Sequence, residues 1–192
     1  MAAPTPPTRQ AAIDLAKSIV AQKPVYLDTE TTGVERDDEI VEIAIVEWDG
    51  SVLYESYVRP SRPIPAQATR IHGIKDADVQ GAKPWPVLWQ SIRNLMVGRL
   101  LATYNSDFDL RMMQQSQARY RLPWRETFNA IDIMKVYADY KGVWDPNRRS
   151  MRYFKLEEAG AFFNINIPNA HRAAADTLLA RAVLHSIAEL PY

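Results

Sequence analysis

One short stretch constrains this chain more than any other. Three apolar residues, Val25-Tyr26-Leu27, run straight into Asp28-Thr29-Glu30-Thr31-Thr32-Gly33. A brief apolar run of β-formers reads as a buried strand, here Val25 to Asp28. Side chains two apart on a strand share a face, so Asp28 and Glu30 aim two negative charges at one spot. Like charges that close are costly unless a cation neutralises them or one takes a proton. An all-oxygen pair suits a hard cation such as Mg²⁺ or Mn²⁺. Taken alone, two alternating acids fit a solvated turn equally well, so the rest of the chain has to decide.

Around this strand the patterning alternates between strand and helix. Gln10 to Gln22 has helical spacing and stops before Pro24. Glu39 to Trp48 reads as a strand alternating apolar with polar Glu42 and Glu47. Asp49-Gly50 signals a hairpin, and Ser51 to Val58 is the returning strand. The first three strands therefore form an antiparallel meander. Proline-rich stretches at Pro60–Pro65 and Pro84–Pro86 leave room for short helices at most, followed by a helix over Val87–Val97. Then come a strand at Arg99–Tyr104, a helix capped by Ser106 and running to Tyr120, and a strand at Phe128–Asp132 leading into a helix to Tyr140. Gly142–Arg149 reads as loop, and Phe154–Phe163 and Arg172–Leu190 as helices. The expected class is α/β, a five-stranded mixed sheet flanked by helices.

At 192 residues, 47% hydrophobic and 24% charged, the chain suits one folded domain over residues 10–192, with Met1–Arg9 as a disordered leader. No apolar run approaches the ~20 residues of a membrane span, so no membrane partner is expected. The leader lacks the apolar core of a secretion signal. The chain has no cysteine, which removes disulfides and thiolate metal sites and fits a cytoplasmic protein. Basic and acidic residues balance at 23 each, so overall charge advertises no polyanionic partner. Locally, Lys141, Arg148, Arg149, Arg152 and Lys155 face only Asp145, a charge bias that fits either a solvated loop or phosphate contacts.

Two further acidic motifs fall where strand ends meet helix starts. Asn105-Ser106-Asp107-Phe108-Asp109 follows the fourth strand, and a carboxylate there is favoured by the helix dipole. His171-Arg172-Ala173-Ala174-Ala175-Asp176 opens the last helix. Five residues apart is ~140° of helical rotation, so His171 and Asp176 reach one site only if His171 precedes the helix in a loop. Helix stabilisation by Asp107 and Asp109, and a surface or capping histidine, are the plain alternatives.

Taken together, LDTETTG, N-x-x-F-D and H-x-A-x-x-D resemble the three motifs of the DEDDh superfamily of 3′–5′ exonucleases. The chain is most similar in character to the DnaQ-like group that includes the proofreading ε subunit of bacterial DNA polymerase III. The resemblance covers Val25 to Leu190 and implies a ribonuclease H-like fold. It implies Asp28, Glu30, Asp109 and Asp176 as metal-binding acids and His171 as general base. It also makes Thr31, Ile71, His72, Phe108 and Asn105 candidates for holding the 3′-terminal nucleotide. Two divalent ions, Mg²⁺ or Mn²⁺, would activate water and stabilise the leaving oxygen. Histidine is the side chain suited to taking up a proton near neutral pH, which fits His171 as the base.

The implied activity is metal-dependent 3′–5′ hydrolysis of single-stranded nucleic acid, DNA favoured, releasing nucleoside 5′-monophosphates. An RNA-trimming or oligoribonucleotide-clearing nuclease is the alternative within enzymes. A non-catalytic binding module would be signalled by a missing acid, and none is missing. Besides the 3′ end itself, a DNA polymerase and a second copy of the chain are the partners to weigh. The end at Tyr192, just after the last helix, and the additional stretch Met1–Lys23 ahead of the first strand count against a dedicated polymerase subunit, so a stand-alone nuclease and a proofreading subunit are expected equally.

Overall fold

Strand order follows from where the apolar runs lie and from which faces they can bury. In a computed structural model, which describes residues 8–167 and 170–192, the chain opens on helix α1 (Arg9–Ala21). Thr8 caps it by accepting from the Ala11 N–H at 3.1 Å. Arg9 is thus helical, and the rest of the expected leader lies outside the described residues. Strands β1 (Val25–Thr31), β2 (Ile40–Val46) and β3 (Val52–Tyr57) form the antiparallel meander. Short helices α2 (Ala66–His72) and α3 (Asp76–Val79) precede α4 (Trp85–Met96). Strand β4 (Leu100–Thr103) leads into α5 (Ser106–Arg119), and β5 (Asn129–Asp132) into α6 (Ile133–Lys141). A small hairpin, β6 (Trp144–Asp145) with β7 (Ser150–Met151), comes before α7 (Leu156–Phe162) and α8 (Ala173–Ile187).

The sheet runs β3-β2-β1-β4-β5, with β4 parallel to both β1 and β5. This is the five-stranded mixed α/β sheet expected from the sequence. Tyr26, Val46 and Ala102 pack under α1, α6, α7 and α8, whereas Val25, Leu27, Ile43 and Leu101 pack under α4 and α5. Helices on both faces explain why every position of β2 is buried, Glu42 included, where the sequence suggested an alternating strand. No helix among the described residues is long and apolar enough to cross a membrane.

Two local readings change. Ser106 lies inside α5. Asn105 holds the cap position in a left-handed conformation (φ 81°) and makes no side-chain capping bond. The expected loop at 142–149 contains half of the β6–β7 hairpin, closed by Arg152 N–H donating to Val143 O at 2.8 Å. Only four residues separate its strands, and the Asp145 carboxylate holds that turn by accepting from the Asn147 and Arg148 N–H groups.

Candidate active site

The two faces of β1 explain how the acids meet. Asp28 and Glu30 share the Tyr26 face, towards α8, whose first turn carries Asp176. One carboxylate oxygen from each of Asp28, Glu30 and Asp176 lies within 4.8 Å of the other two. Asp109 arrives from α5, on the opposite face. It sits buried with Oδ1 accepting from Thr29 Oγ1 at 2.8 Å. The structure thus gathers three of the four expected acids tightly. It sets the fourth beside Asp28, close enough for its charge to act there, but tied to the intervening Thr29.

Crowding shows in the acidities. Burial, then the charges of Asp109 and Glu30, hold Asp28 well above its ordinary value. Burial, then Asp176 and Glu42, push Glu30 up to about 8. Burial raises Asp109 to about 7 against the pull of the Thr29 hydroxyl, and raises Asp176 to about 6 against His171. A folded state that prefers protonated acids is stabilised below the ordinary carboxylate range and loses that stabilisation as pH rises through the folded values. Metal-free protein in EDTA is therefore expected to lose thermal stability between pH ~4.5 and ~8. Mg²⁺ or Mn²⁺ should restore more of it at pH 8 than at pH 5.5. A fall of ~2–4 °C per ~1 kcal/mol is the scale to look for by calorimetry. A melting temperature that climbs with pH in EDTA would contradict this picture.

An oxygen-only donor set, partly buried and short of positive charge, fits one or more hard divalent cations. Asp28, Glu30 and Asp176 are the residues placed to hold them, with Asp109 adjoining.

His171 stands just ahead of α8, as its spacing from Asp176 requires. Its backbone is left-handed (φ 46°), an uncommon conformation for a non-glycine residue, worth of order 1–3 kcal/mol where it is held. Its Nδ1 lies 4.0 Å from Asp176 Oδ2, and its side chain is 46% exposed, open to the cavity. The next residue anchors it. The Arg172 guanidinium donates to Glu42 (Nη2–Oε1 2.6 Å, Nε at 3.1 Å to both oxygens) and to the Tyr57 hydroxyl at 3.0 Å. Glu42 Oε2 also accepts the Ala173 N–H at 2.9 Å. Ala170 N–H donates to Asp176 Oδ1 at 3.2 Å. Glu42 is the cross-strand neighbour of Glu30, so one pair of strands carries both a site carboxylate and the anchor of the histidine segment.

Cavities flank the carboxylates on both sides. One, about 520 Å³, is lined by Asp28, Asn105, Tyr153, Phe154, His171 and Asp176 among others. The other, about 450 Å³, takes in Glu30, Thr31, Gly33, Ile71, His72 and Phe108. Thr31, Ile71, His72 and Phe108 therefore share a pocket, and Asn105 lies across the acids from them. Within that pocket the roles differ. Ile71 is exposed at 56%, an apolar side chain open to a ligand. His72 is buried and held at both ring nitrogens: Nδ1 accepts from Ile74 N–H at 3.0 Å, so Nε2 carries the proton that Thr31 O accepts at 3.2 Å. Burial lowers its basicity, and its ring is a fixed, neutral wall. At the pocket's rim a Cβ on Gly33 would sit 2.4 Å from Asp38 Oδ2. That carboxylate already takes the Thr32 hydroxyl (2.7 Å) and the Glu35 N–H (2.8 Å), so only glycine fits the turn.

Residues 25–184 match the family model described as exonuclease (RNase T type). An uncharacterized exonuclease of Escherichia phage 186 is 32% identical over 91% of this chain and 92% of its own length. The chain belongs to the exonuclease family. A 3′–5′ exonuclease of Bacillus subtilis, DinG, is 25% identical over 89% of the chain, which spans 18% of that larger protein. Among solved structures, exonuclease X in complex with 5′-overhanging duplex DNA is 25% identical, with a TM-score of 0.64 over 86% of this chain and 90% of that one. The nuclease domain of 3′hExo, a DEDDh family member bound to rAMP, shares the fold at 19% identity, with a TM-score of 0.68 over 86% and 91%.

In this exonuclease-family chain the candidate site is held by residues beyond those the motifs assigned. Glu42 and Tyr57 hold the histidine segment without belonging to any of those motifs, whereas Thr29, which holds Asp109, and Arg172 stand inside them at positions that carried no assigned role. Glu42 did leave a signal: it is a carboxylate in the middle of the apolar run Ile40–Val46, where an acid survives only with a partner.

Proposed function

We propose that this exonuclease removes nucleotides from the 3′ end of single-stranded nucleic acid, DNA favoured, releasing nucleoside 5′-monophosphates. The observation that carries the reading is the placement of three clustered carboxylates, with Asp109 beside them, between two cavities and under a partly exposed histidine. Asp28, Glu30, Asp109 and Asp176 would hold two divalent ions, Mg²⁺ or Mn²⁺. Bound there, such ions acidify water and neutralise the phosphate and the leaving oxygen. His171 faces Asp176 through Nδ1, which leaves Nε2 to take a proton from the attacking water. As the bond to phosphorus forms, the 3′ oxygen of the preceding nucleotide departs.

The terminal nucleoside fits the pocket of Thr31, Ile71 and Phe108, with His72 as its wall. An apolar and aromatic pocket of this kind grips a base by its face and tolerates any sequence. Similarity to DinG, named as a 3′–5′ exonuclease, supports the polarity. Similarity of 30% to a Streptococcus agalactiae PolC-type DNA polymerase III, over 8% of that protein, keeps a polymerase among candidate partners.

A 5′-labelled single-stranded oligonucleotide should yield a ladder shortening from its 3′ end with Mg²⁺ or Mn²⁺, and EDTA should stop it. Release of the 5′ label as the first product would overturn the polarity. Matched RNA run beside the DNA decides between the two substrates: faster loss of RNA would favour an oligoribonucleotide-clearing enzyme.

A further inference from the structure

The β6–β7 hairpin and the segment after it form a surface that extends away from the hydrolytic site. Its cavity, about 390 Å³, is lined by Trp144, Asp145, Pro146, Arg148, Arg152 and Tyr153. Tyr153 also lines the cavity that holds Asp28, His171 and Asp176. The two spaces therefore adjoin through one aromatic side chain. Trp144 is 43% exposed and Tyr153 41%, so two aromatic side chains line this cavity and stand open to a ligand.

The charge of this surface is positive and largely unspent. Arg148 meets Asp145 only at 3.7 Å, with 72% of its side chain exposed. Arg149 and Arg152 are exposed and, among the described residues, form no ion pair. The neighbouring acids are already engaged: Glu158 accepts the Lys155 N–H at 2.8 Å, and Glu157 pairs with Lys155 at 3.6 Å. The surface is also fastened to the site. Met151 is buried, Phe154 packs edge-on against Tyr137 at 5.6 Å, and the Tyr104 hydroxyl donates to Phe154 O at 2.9 Å. Tyr104 immediately precedes Asn105, so this hydrogen bond ties the segment after the hairpin to the end of β4 beside the acids.

We propose that this hairpin is a second binding segment for the substrate strand, holding nucleotides that lie upstream of the scissile bond. Arg148 and Arg149 contact backbone phosphates, and Trp144 and Tyr153 stack bases. The proposal rests on the nuclease reading, which places the strand's end in the carboxylate site. Alternating cations and aromatic faces are what a single strand requires, because every base has a face and every link a charge. The segment reads no sequence. It lowers KM for long strands and leaves the bond-breaking step unchanged.

Two exposed variants test it: Trp144→Ala, and Arg148→Gln combined with Arg149→Asn. Asparagine suits position 149, whose backbone is left-handed (φ 53°). Two substrates separate the roles: the p-nitrophenyl ester of thymidine 5′-monophosphate, which has no upstream strand, and a single-stranded DNA oligonucleotide. Both variants should hydrolyse the ester at the wild-type rate. On the oligonucleotide, Trp144→Ala should raise KM at least about five-fold, and the arginine pair should flatten the salt dependence by about 1.4 in log–log slope. Anisotropy of a labelled oligonucleotide with Ca²⁺ in place of Mg²⁺ measures the same losses without turnover. Unchanged affinity and unchanged salt slope in both variants would overturn the second segment. A wild-type protein that binds the strand through the hairpin but cleaves neither substrate would sink the nuclease reading and leave this surface standing.

Discussion

Asp28→Asn is expected to abolish turnover while making the metal-free protein more stable. The carboxylate sits among Glu30, Asp176, Asp109 and Glu42, and each of those charges opposes its ionisation. Asparagine keeps the shape and removes the charge. What is lost is the anchor for a divalent cation, so the rate should drop well beyond the ~10–100-fold that follows from losing a group which merely supports a ligand. What is gained is relief of repulsion, greatest near pH 8, where the metal-free wild type is least stable. The two effects have opposite signs, which distinguishes loss of a ligand from loss of the fold. Kinetics with Mn²⁺ and a melting curve in EDTA read them separately. Undiminished activity in the variant would remove Asp28 from the site, and a lowered melting temperature would remove the repulsion argument.

His171→Ala should cost ~10²–10⁴-fold in kcat, the usual contribution of a positioned base. Its side chain is half-exposed and its Nδ1 stands 4.0 Å from Asp176 Oδ2, beyond hydrogen-bond range, so the fold should be little affected by its loss. Metal binding should persist, and the Mg²⁺-dependent rise in melting temperature should match that of the wild type. Added imidazole should recover part of the rate if the missing function is proton removal. Loss of the metal-dependent stabilisation together with activity would instead make His171 a structural support of the carboxylate cluster.

Much of the site could be read before any fold was known, and the reason is local. That Asp28 and Glu30 share a face depends only on the two-residue period of a strand, and that His171 must precede the helix bearing Asp176 depends only on helix geometry; grouping them into one site came from the motif resemblance. The strands with their hairpin at Asp49-Gly50 depend on turn chemistry. What failed to be legible depends on neighbours far along the chain. Glu42 looked like the solvent side of an alternating strand, because a sequence cannot say that a second layer of helices will bury that side as well. The pairing of Glu42 with Arg172 joins residues 130 apart. Ser106 looked like a cap because serine commonly is one, while the backbone turned one residue earlier. The hairpin at Trp144 was read as loop because its strands are two residues each.

The sequence by itself supplied the strand–helix order and, through its resemblance to the exonuclease motifs, a candidate set of four carboxylates and one histidine; short-range periodicity added only that Asp28 and Glu30 share a face. Tertiary structure decided how those groups are held. It set Asp109 on the far side of β1 against Thr29, tied the histidine segment to Glu42, and opened a cavity on each side of the acids. Those outcomes come from packing helices against both faces of one sheet, and no stretch of sequence encodes that packing by itself.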